Sequence, residues 1–195
     1  MLKIGITGGI GTGKSTISKI FSVLGIPVYD ADTRAKWLQN NDPELIENIK
    51  LAFGDNIYKN GILDSQSLAS QVFSAAGKLA ILNGLVHPKV FSDSANWYQK
   101  QASSKYVLRE AALLVESGTY KNMDKLIVVT SPLDLRTERI QARDPWRSKN
   151  EIEAIISKQL AEDEKIQLAD YVIVNDEDTM LIPQVLKLHR QFSLL

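Results

Sequence analysis

The loop Gly8-Gly9-Ile10-Gly11-Thr12-Gly13-Lys14-Ser15 follows directly on the run Lys3-Ile4-Gly5-Ile6-Thr7. Nothing else in the chain restricts the fold so tightly. Two glycines separated by four residues and followed by Lys and Ser form a phosphate-binding loop pattern, which calls for a strand before it and a helix after it. Glycines let the backbone reach positive φ and approach a ligand closely. Successive N–H groups can then converge on phosphate oxygens, with the positive end of the next helix behind them. The candidate nucleotide-binding residues are therefore Gly9, Ile10, Gly11, Thr12, Gly13, Lys14, Ser15 and Thr16. In this pattern Lys14 reaches the β- and γ-phosphates and the Ser15 hydroxyl sits on Mg²⁺. The alternative is a glycine-rich turn with an unremarkable lysine, which the strand before and the helix after argue against.

A chain of 195 residues is expected to form one domain, with room for a helical insertion. It is long enough to bury a core without metals or disulfides. Lys+Arg and Asp+Glu balance at 23 each, so no global field argues for a nucleic acid or an anionic membrane. The absence of cysteine excludes disulfides and thiolate metal sites, and fits a reducing compartment. The N-terminus carries no apolar signal core, and no run is long enough to span a bilayer. The expectation is a cytoplasmic protein, monomeric, with no nucleic-acid or membrane partner.

Four short apolar runs look like buried strands of a parallel sheet: Ile4 to Thr7, Tyr106 to Leu108, Leu126 to Val129 and Tyr171 to Val174. Pro27-Val28-Tyr29 is a fifth. Helical segments follow most of them. Ser131-Pro132-Leu133-Asp134 offers an N-cap, a proline at the first helical position and an acid in the first turn. Ser148 and Glu151 form a capping-box pattern ahead of the apolar stripe Ile152, Ile155, Ile156 and Leu160. Leu181, Ile182, Val185, Leu188 and Phe192 give the closing segment an amphipathic face, read as core. This alternation predicts an α/β fold, a five-stranded parallel sheet with helices on both faces. From about Ala31 to Ser104 no strand is expected. Helices are placed at Pro43 to Phe53, Ser65 to Phe73 and Ala75 to Lys100, with Gly54 and Gly61 as stops. The expected layout is a core of 1–30, 105–143 and 166–195, a helical substrate subdomain over about 31–104 and a lid over about 144–165.

Beyond the loop, Asp30-Ala31-Asp32 follows the second strand. Ligands of open parallel sheets bind outside the carboxyl ends of the strands, so an acid there can face a γ-phosphate and take a proton from an attacking hydroxyl. Asp32 is the candidate base; Asp30 fits a helix N-cap. Arg136, Arg139 and Arg143 lie at helical spacing. Alone they would be a solvated basic face, but beside a phosphate loop arginines also clamp phosphoryl oxygens bidentately, and Arg143 and Arg139 are the candidates. Glu110 or Glu116 could reach the magnesium shell or the acceptor, or merely cap or pair. His189 is read as structural.

No Asn-Lys-x-Asp guanine-reading element is present, and no apolar strand ends in the acid of a motor ATPase. A small-molecule kinase is the best class. A shikimate-kinase-like enzyme also fits Asp-x-Asp after the second strand, but such enzymes carry Gly-Gly-x-Gly where this chain has Glu110-Ala111-Ala112-Leu113.

The chain resembles the dephospho-coenzyme A kinase family. The likeness runs through Thr7-Gly8-Gly9-Ile10-Gly11-Thr12-Gly13-Lys14-Ser15-Thr16, Asp30-Ala31-Asp32, Gly61-Ile62-Leu63-Asp64 and Leu82-Asn83 with His87-Pro88. It continues through Leu113-Leu114-Val115-Glu116, Arg143-Asp144, Gln159, Ala169-Asp170 and Val172-Ile173-Val174-Asn175. The resemblance implies ATP-dependent phosphorylation of the 3′-hydroxyl of dephospho-coenzyme A. On the matched positions it implies Asp32 as base, Lys14 and Arg143 as phosphate stabilisers and His87 in the acceptor-binding subdomain. Thr7, Leu113 and Glu116 then fall on the acceptor side, Arg139 and Asn175 beside ATP. Two positions depart: Glu110 stands where many members have Asp, and Asp176 where Gly or Ser often follows Asn175.

Overall fold

The computed structural model describes residues 1–74 and 77–195. In chain order the regular elements begin with β1 (Leu2–Thr7), α1 (Lys14–Val23) and β2 (Val28–Asp30). Next come α2 (Ala31–Asn41), α3 (Pro43–Phe53), β3 (Tyr58–Lys59), β4 (Ile62–Leu63), α4 (Ser65–Ser74) and α5 (Lys78–Lys100). The chain continues through β5 (Tyr106–Glu110), β6 (Lys125–Thr130), α6 (Leu133–Arg143), α7 (Lys149–Ser157), α8 (Glu162–Gln167), β7 (Tyr171–Val174) and α9 (Leu181–Leu194). Two compact units result, one of Met1–Asp30 with Gln101–Leu195 and one of Ala31–Lys100.

The first unit is built on a sheet ordered β2-β5-β1-β6-β7, with every neighbouring pair parallel. Strand β1 therefore sits at the centre, and the chain crosses from one side of it to the other between β5 and β6. Its alternation sends Ile4 and Ile6 into a core with Ile17 and Phe21 of α1, Tyr106 and Leu108 of β5, Ile127 and Val129 of β6, and Val185, Leu188 and Phe192 of α9. On the opposite face Gly5 leaves room for Leu114, whose Cδ2 would lie 2.6 Å from an added Cβ. Tyr106 packs edge-on against Phe21 and Phe192, and its hydroxyl meets His189 Nδ1 at 2.7 Å. Burial pushes that hydroxyl above its ordinary pKa. His189 is structural, as its place on the last helix suggests.

The second unit is helical, with one addition that the sequence reading left out. Asn60 and Gly61 both have positive φ, 51° and 78°, as a two-residue hairpin turn requires, and they join β3 to β4 as an antiparallel pair. Gly61 thus closes a hairpin rather than stopping a helix. Helix α3 begins on Asp42, whose Oδ1 accepts from Leu45 N at 2.8 Å, and Leu45, Ile49 and Phe53 bury its inner stripe. The exposed His87 precedes Pro88 within α5, and the helix runs on past the proline. The expected start of this helix at Ala75 lies outside the described residues. Helix α2, left without bounds in the sequence reading although Asp30 fitted a helix N-cap, follows β2 without a break.

The start of α6 is a further correction. Pro132 occupies the N-cap position and Ser131 lies before it, so Ser131 does not cap the helix. Its hydroxyl accepts from Arg139 instead. The capping box of Ser148 and Glu151 is present with both of its hydrogen bonds.

Phe192 has no exposed surface and touches both Tyr106 and Tyr171. Phe192→Ala should lower the unfolding free energy by about 3–5 kcal/mol in urea titration. A change within about 0.5 kcal/mol, the range of surface substitutions, would mean that α9 does not close this core.

Candidate active site

Between the carboxyl end of β1 and the first turn of α1, the backbone turns through Gly11 and Gly13 at φ 83° and 87°. Gly13 is the N-cap residue of α1; no side chain caps the helix, and no acid stands in its first turn. A helix start in that condition favours an anion. Glycine is required at Gly13 on two counts, because its φ is positive and Asn175 Nδ2 would lie 2.3 Å from an added Cβ. At Gly9 the reason is closeness alone, since the Arg136 guanidinium would lie 2.2 Å from such an atom.

The loop is braced from several sides. Lys14 Nζ donates to the carbonyls of Gly8 and Gly9 at 2.9 and 3.0 Å, and Thr12 Oγ1 donates to Gly9 O at 2.9 Å. Arg136 Nε donates to Ile10 O at 3.0 Å, and Ile10 N donates to Gln159 Oε1 at 2.9 Å. Asn175, just beyond the end of β7, donates its backbone N–H to Thr130 O at the end of β6 and gives its Nδ2 to Thr12 O at 2.8 Å. Arg139 donates to Ser131 Oγ and to the backbone and side-chain oxygens of Asn175. Asn175 and Arg139, expected beside ATP, are therefore tied to the loop and to each other.

Ser15 Oγ donates to Glu110 Oε1 at 2.8 Å. Parallel register explains the meeting, because Glu110 ends β5 opposite Ile6 of β1 and opposite Asp30 of β2. A hydroxyl and a carboxylate oxygen this close are hard donors of the kind Mg²⁺ takes together with substrate phosphates. Among the described residues no cluster of three or more His, Cys, Asp or Glu could hold a metal alone.

The other expected residues are placed as follows. Thr7 is buried at the end of β1, and its Oγ1 donates to Ala112 O at 3.3 Å. Leu113 is half exposed in the segment after β5. Glu116 accepts from Leu160 N at 3.1 Å and pairs with the buried Lys165 ammonium at 2.6 Å, an ion pair rather than an aligned hydrogen bond. Arg143 ends α6 and forks onto Asp144 at 3.1 and 2.8 Å, with Arg147 Nε on the same carboxylate at 3.1 Å. The Arg143 guanidinium holds the Asp144 carboxyl below the usual range. Asp32 lies in the first turn of α2 and His87 on α5, both in the helical unit.

Sequence reading passed over Arg136 in favour of its neighbours. It is the buried member of the trio, forked between Ile10 O and Glu162 Oε2 at 3.0 and 3.1 Å. Burial pushes the Glu162 carboxyl up, against the pull of Arg136. Helical spacing showed that the three arginines share a face; only the packing shows which one enters the protein.

A parallel sheet whose central strand opens through a glycine loop into an uncapped helix is the architecture of a P-loop kinase. The chain matches the dephospho-CoA kinase family over residues 2–180. It is 37% identical over 188 residues to the dephospho-CoA kinase of Porphyromonas gingivalis, covering 96% of this chain and 93% of that one. Among solved structures, a Thermus thermophilus protein superposes with a TM-score of 0.86 at 32% identity, covering 97% of this chain and 96% of the other. Dephospho-CoA kinase from Campylobacter jejuni superposes with a TM-score of 0.72 at 28% identity, covering 98% and 96%. The chain belongs to the dephospho-CoA kinase family. It is a phosphotransferase, and a kinase of this kind uses ATP. Among the described residues no helix is long and apolar enough to cross a membrane.

The Glu116–Lys165 pair generates a stability test. Glu116→Ala leaves a buried ammonium without its carboxylate and should cost about 3–5 kcal/mol by chemical denaturation. Replacing both partners by Leu and Met should recover most of that loss, because an apolar pair carries no desolvation penalty. Equal stability of the wild type and Glu116→Ala would show that the ion pair is not a structural contact.

Proposed function

We propose that this chain transfers the γ-phosphoryl group of ATP to the ribose 3′-hydroxyl of dephospho-coenzyme A, giving coenzyme A and ADP. The braced glycine loop with Ser15 and Glu110 side by side at the head of an uncapped helix supports the ATP half of the proposal, and the family match over residues 2–180 supports the acceptor. In this scheme the amides of Gly11 to Thr16 and the Lys14 ammonium hold the β- and γ-phosphates. Ser15 and Glu110 would hold Mg²⁺, which when bound with the triphosphate offsets its negative charge. Arg139 and Asn175 flank the nucleotide.

The acceptor is held by the helical subdomain of about 31–104, through Asp32 and His87, with Thr7, Leu113 and Glu116 from the core. Asp32 accepts the proton of the 3′-hydroxyl as its oxygen attacks the γ-phosphorus and the bond to the β-phosphate oxygen breaks. ADP leaves with that bond's electrons. Arg143, carried at the edge of a lid of about 144–165, stabilises charge on the equatorial oxygens of the moving group. Closure of the lid excludes water, which would otherwise compete as acceptor. No covalent enzyme intermediate is needed, and the enzyme acts as a cytoplasmic monomer.

A coupled assay of ADP release with a panel of acceptors tests the assignment directly. Turnover is expected with dephospho-coenzyme A; turnover with shikimate or a nucleoside monophosphate instead would overturn it. Lys14→Ala should abolish turnover in a chain that still folds, with a lowered melting temperature because Nζ also braces the Gly8 and Gly9 carbonyls. Asp32→Asn keeps the size and one acceptor oxygen but cannot take a proton at neutral pH. It should lower kcat by about 10²–10⁴-fold, near the low end because a loose transition state needs little base assistance, with KM values little changed. Retention of more than about half the wild-type kcat, far outside that range, would remove Asp32 from the base role.

A further inference from the structure

The residues that flank Ile10 in the glycine loop are held in an unusual way. A loop whose N–H dipoles converge on an anion has those dipoles opposed when the anion is absent, so its peptide planes need fixing from outside. Most of the braces described above grip carbonyls: Lys14 holds those of Gly8 and Gly9, Arg136 that of Ile10, and Asn175 that of Thr12. The Ile10 N–H is instead committed to a side chain 149 residues further on, Gln159, at 2.9 Å.

The two peptide planes on either side of Ile10 are thus both anchored. The Gly9–Ile10 plane is held at its oxygen by Lys14 and Thr12 and at its nitrogen by Gln159. The Ile10–Gly11 plane is held at its oxygen by Arg136. Arg136 is buried and balanced by Glu162, three residues beyond Gln159. The segment between them is fixed in turn by Leu160 N on Glu116. Gln159 and Glu162 therefore form a short strap, just past the end of α7, that grips the shoulder of the loop from two directions.

We propose that Gln159 is a positioning residue for phosphoryl transfer. Acting through the Ile10 peptide, and together with Arg136, it holds the loop in the conformation that receives the triphosphate. The proposal rests on the reading of this loop as the ATP site. Gln159 does not touch the nucleotide in this scheme. Its loss frees the Gly9–Ile10 plane to rotate, and ATP then binds only the fraction of molecules with the loop correctly set. A single hydrogen bond of this kind is worth a change of about tenfold. The change should fall on ATP affinity and not on the acceptor or on the chemical step, because the nest is restored once ATP is bound.

Two variants of the full chain separate this from a packing role. Gln159→Met keeps the length and bulk but has no strong acceptor, whereas Gln159→Glu keeps an acceptor oxygen. Hydrogen exchange of the Ile10 amide, followed by NMR without nucleotide, reads the contact itself; steady-state kinetics read its consequence. Gln159→Met should exchange Ile10 about tenfold faster and raise the KM for ATP about tenfold, as one lost hydrogen bond predicts. Its kcat and its KM for dephospho-coenzyme A should stay at wild-type values, and its melting temperature should fall by no more than about 2–4 °C, the cost of one hydrogen bond in a chain of this size. Gln159→Glu should keep Ile10 exchange slow and recover most of the ATP affinity. Wild-type exchange and wild-type KM in Gln159→Met would overturn the proposal. So would equally fast exchange in both variants with a melting temperature lowered well beyond that, the mark of lost packing. A wild-type chain that protects Ile10 but fails to bind ATP would remove the assignment of the loop, and the two failures are distinguishable.

Discussion

Backbone N–H groups gathered to receive a phosphate are poised against one another until it arrives, and the rest of this unit is arranged to hold them there. The central position of β1 follows from that need. A strand paired on both sides, to β5 and to β6, delivers the loop from a fixed point, and a loop on an edge strand would have half the support. From the same centre the neighbours supply the braces. β5 ends in Glu110 beside Ser15, β6 leads into α6 with Arg136 and Arg139, and β7 ends next to Asn175. Each brace arrives at the carboxyl edge because parallel strands bring all their carboxyl ends to one side.

Charge is handled locally in this unit. Arg136 meets Glu162, Arg139 meets Glu177, Lys165 meets Glu116, and Lys125 meets Asp170. Arg136 and Lys165 are the buried cations of these pairs, and the other two pairs lie nearer the surface. A buried pair contributes little net stability against an apolar replacement, while either partner alone is costly. Arg136 and Lys165 are therefore best understood as fixing a geometry. Arg136 needs its counter-ion to remain buried against a carbonyl, and that counter-ion stands in the same strap that holds the Ile10 amide.

The sequence carried the loop, the sheet and most of the helices because their signals are local. The glycine spacing, the β-branched runs and the Asp42-Pro43 helix start each lie within a few residues. The bounds of β7 and α3 can be read from the residues themselves. The hairpin at Asn60-Gly61 escaped because two-residue strands show no alternation, although its turn residues are the ones such a turn demands. Helix α8, with acids through its first turn and only six residues long, shows no stripe to detect. Ser131 resembled a cap, but its hydroxyl found a better use on Arg139. The braces of the loop were the least legible part. Gln159, Arg136 and Asn175 lie 126 to 163 residues from their partners in the loop; Gln159 and Asn175 stood out only through the family resemblance, and nothing local set Arg136 apart from Arg139 and Arg143.

Arg143 shows how such a site can keep a cation without fixing it in place. Its guanidinium is more than half exposed, yet it is held in a two-point fork by the largely buried Asp144, which also holds Arg147. A planar fork that suits a carboxylate suits a phosphoryl group equally well. An arginine serving the transferring group, the role proposed for it, would exchange one anion for another of similar geometry and so would not have to be desolvated anew. Asp144 would keep Arg147 after the exchange, so neither partner would be left bare. The lowered pKa of the Asp144 carboxyl fits this arrangement: it stays charged well into the acid range, and the fork weakens only as pH falls through that depressed value. The same carboxylate thus stabilises the corner between α6 and α7 and stores the arginine in an orientation already matched to phosphate.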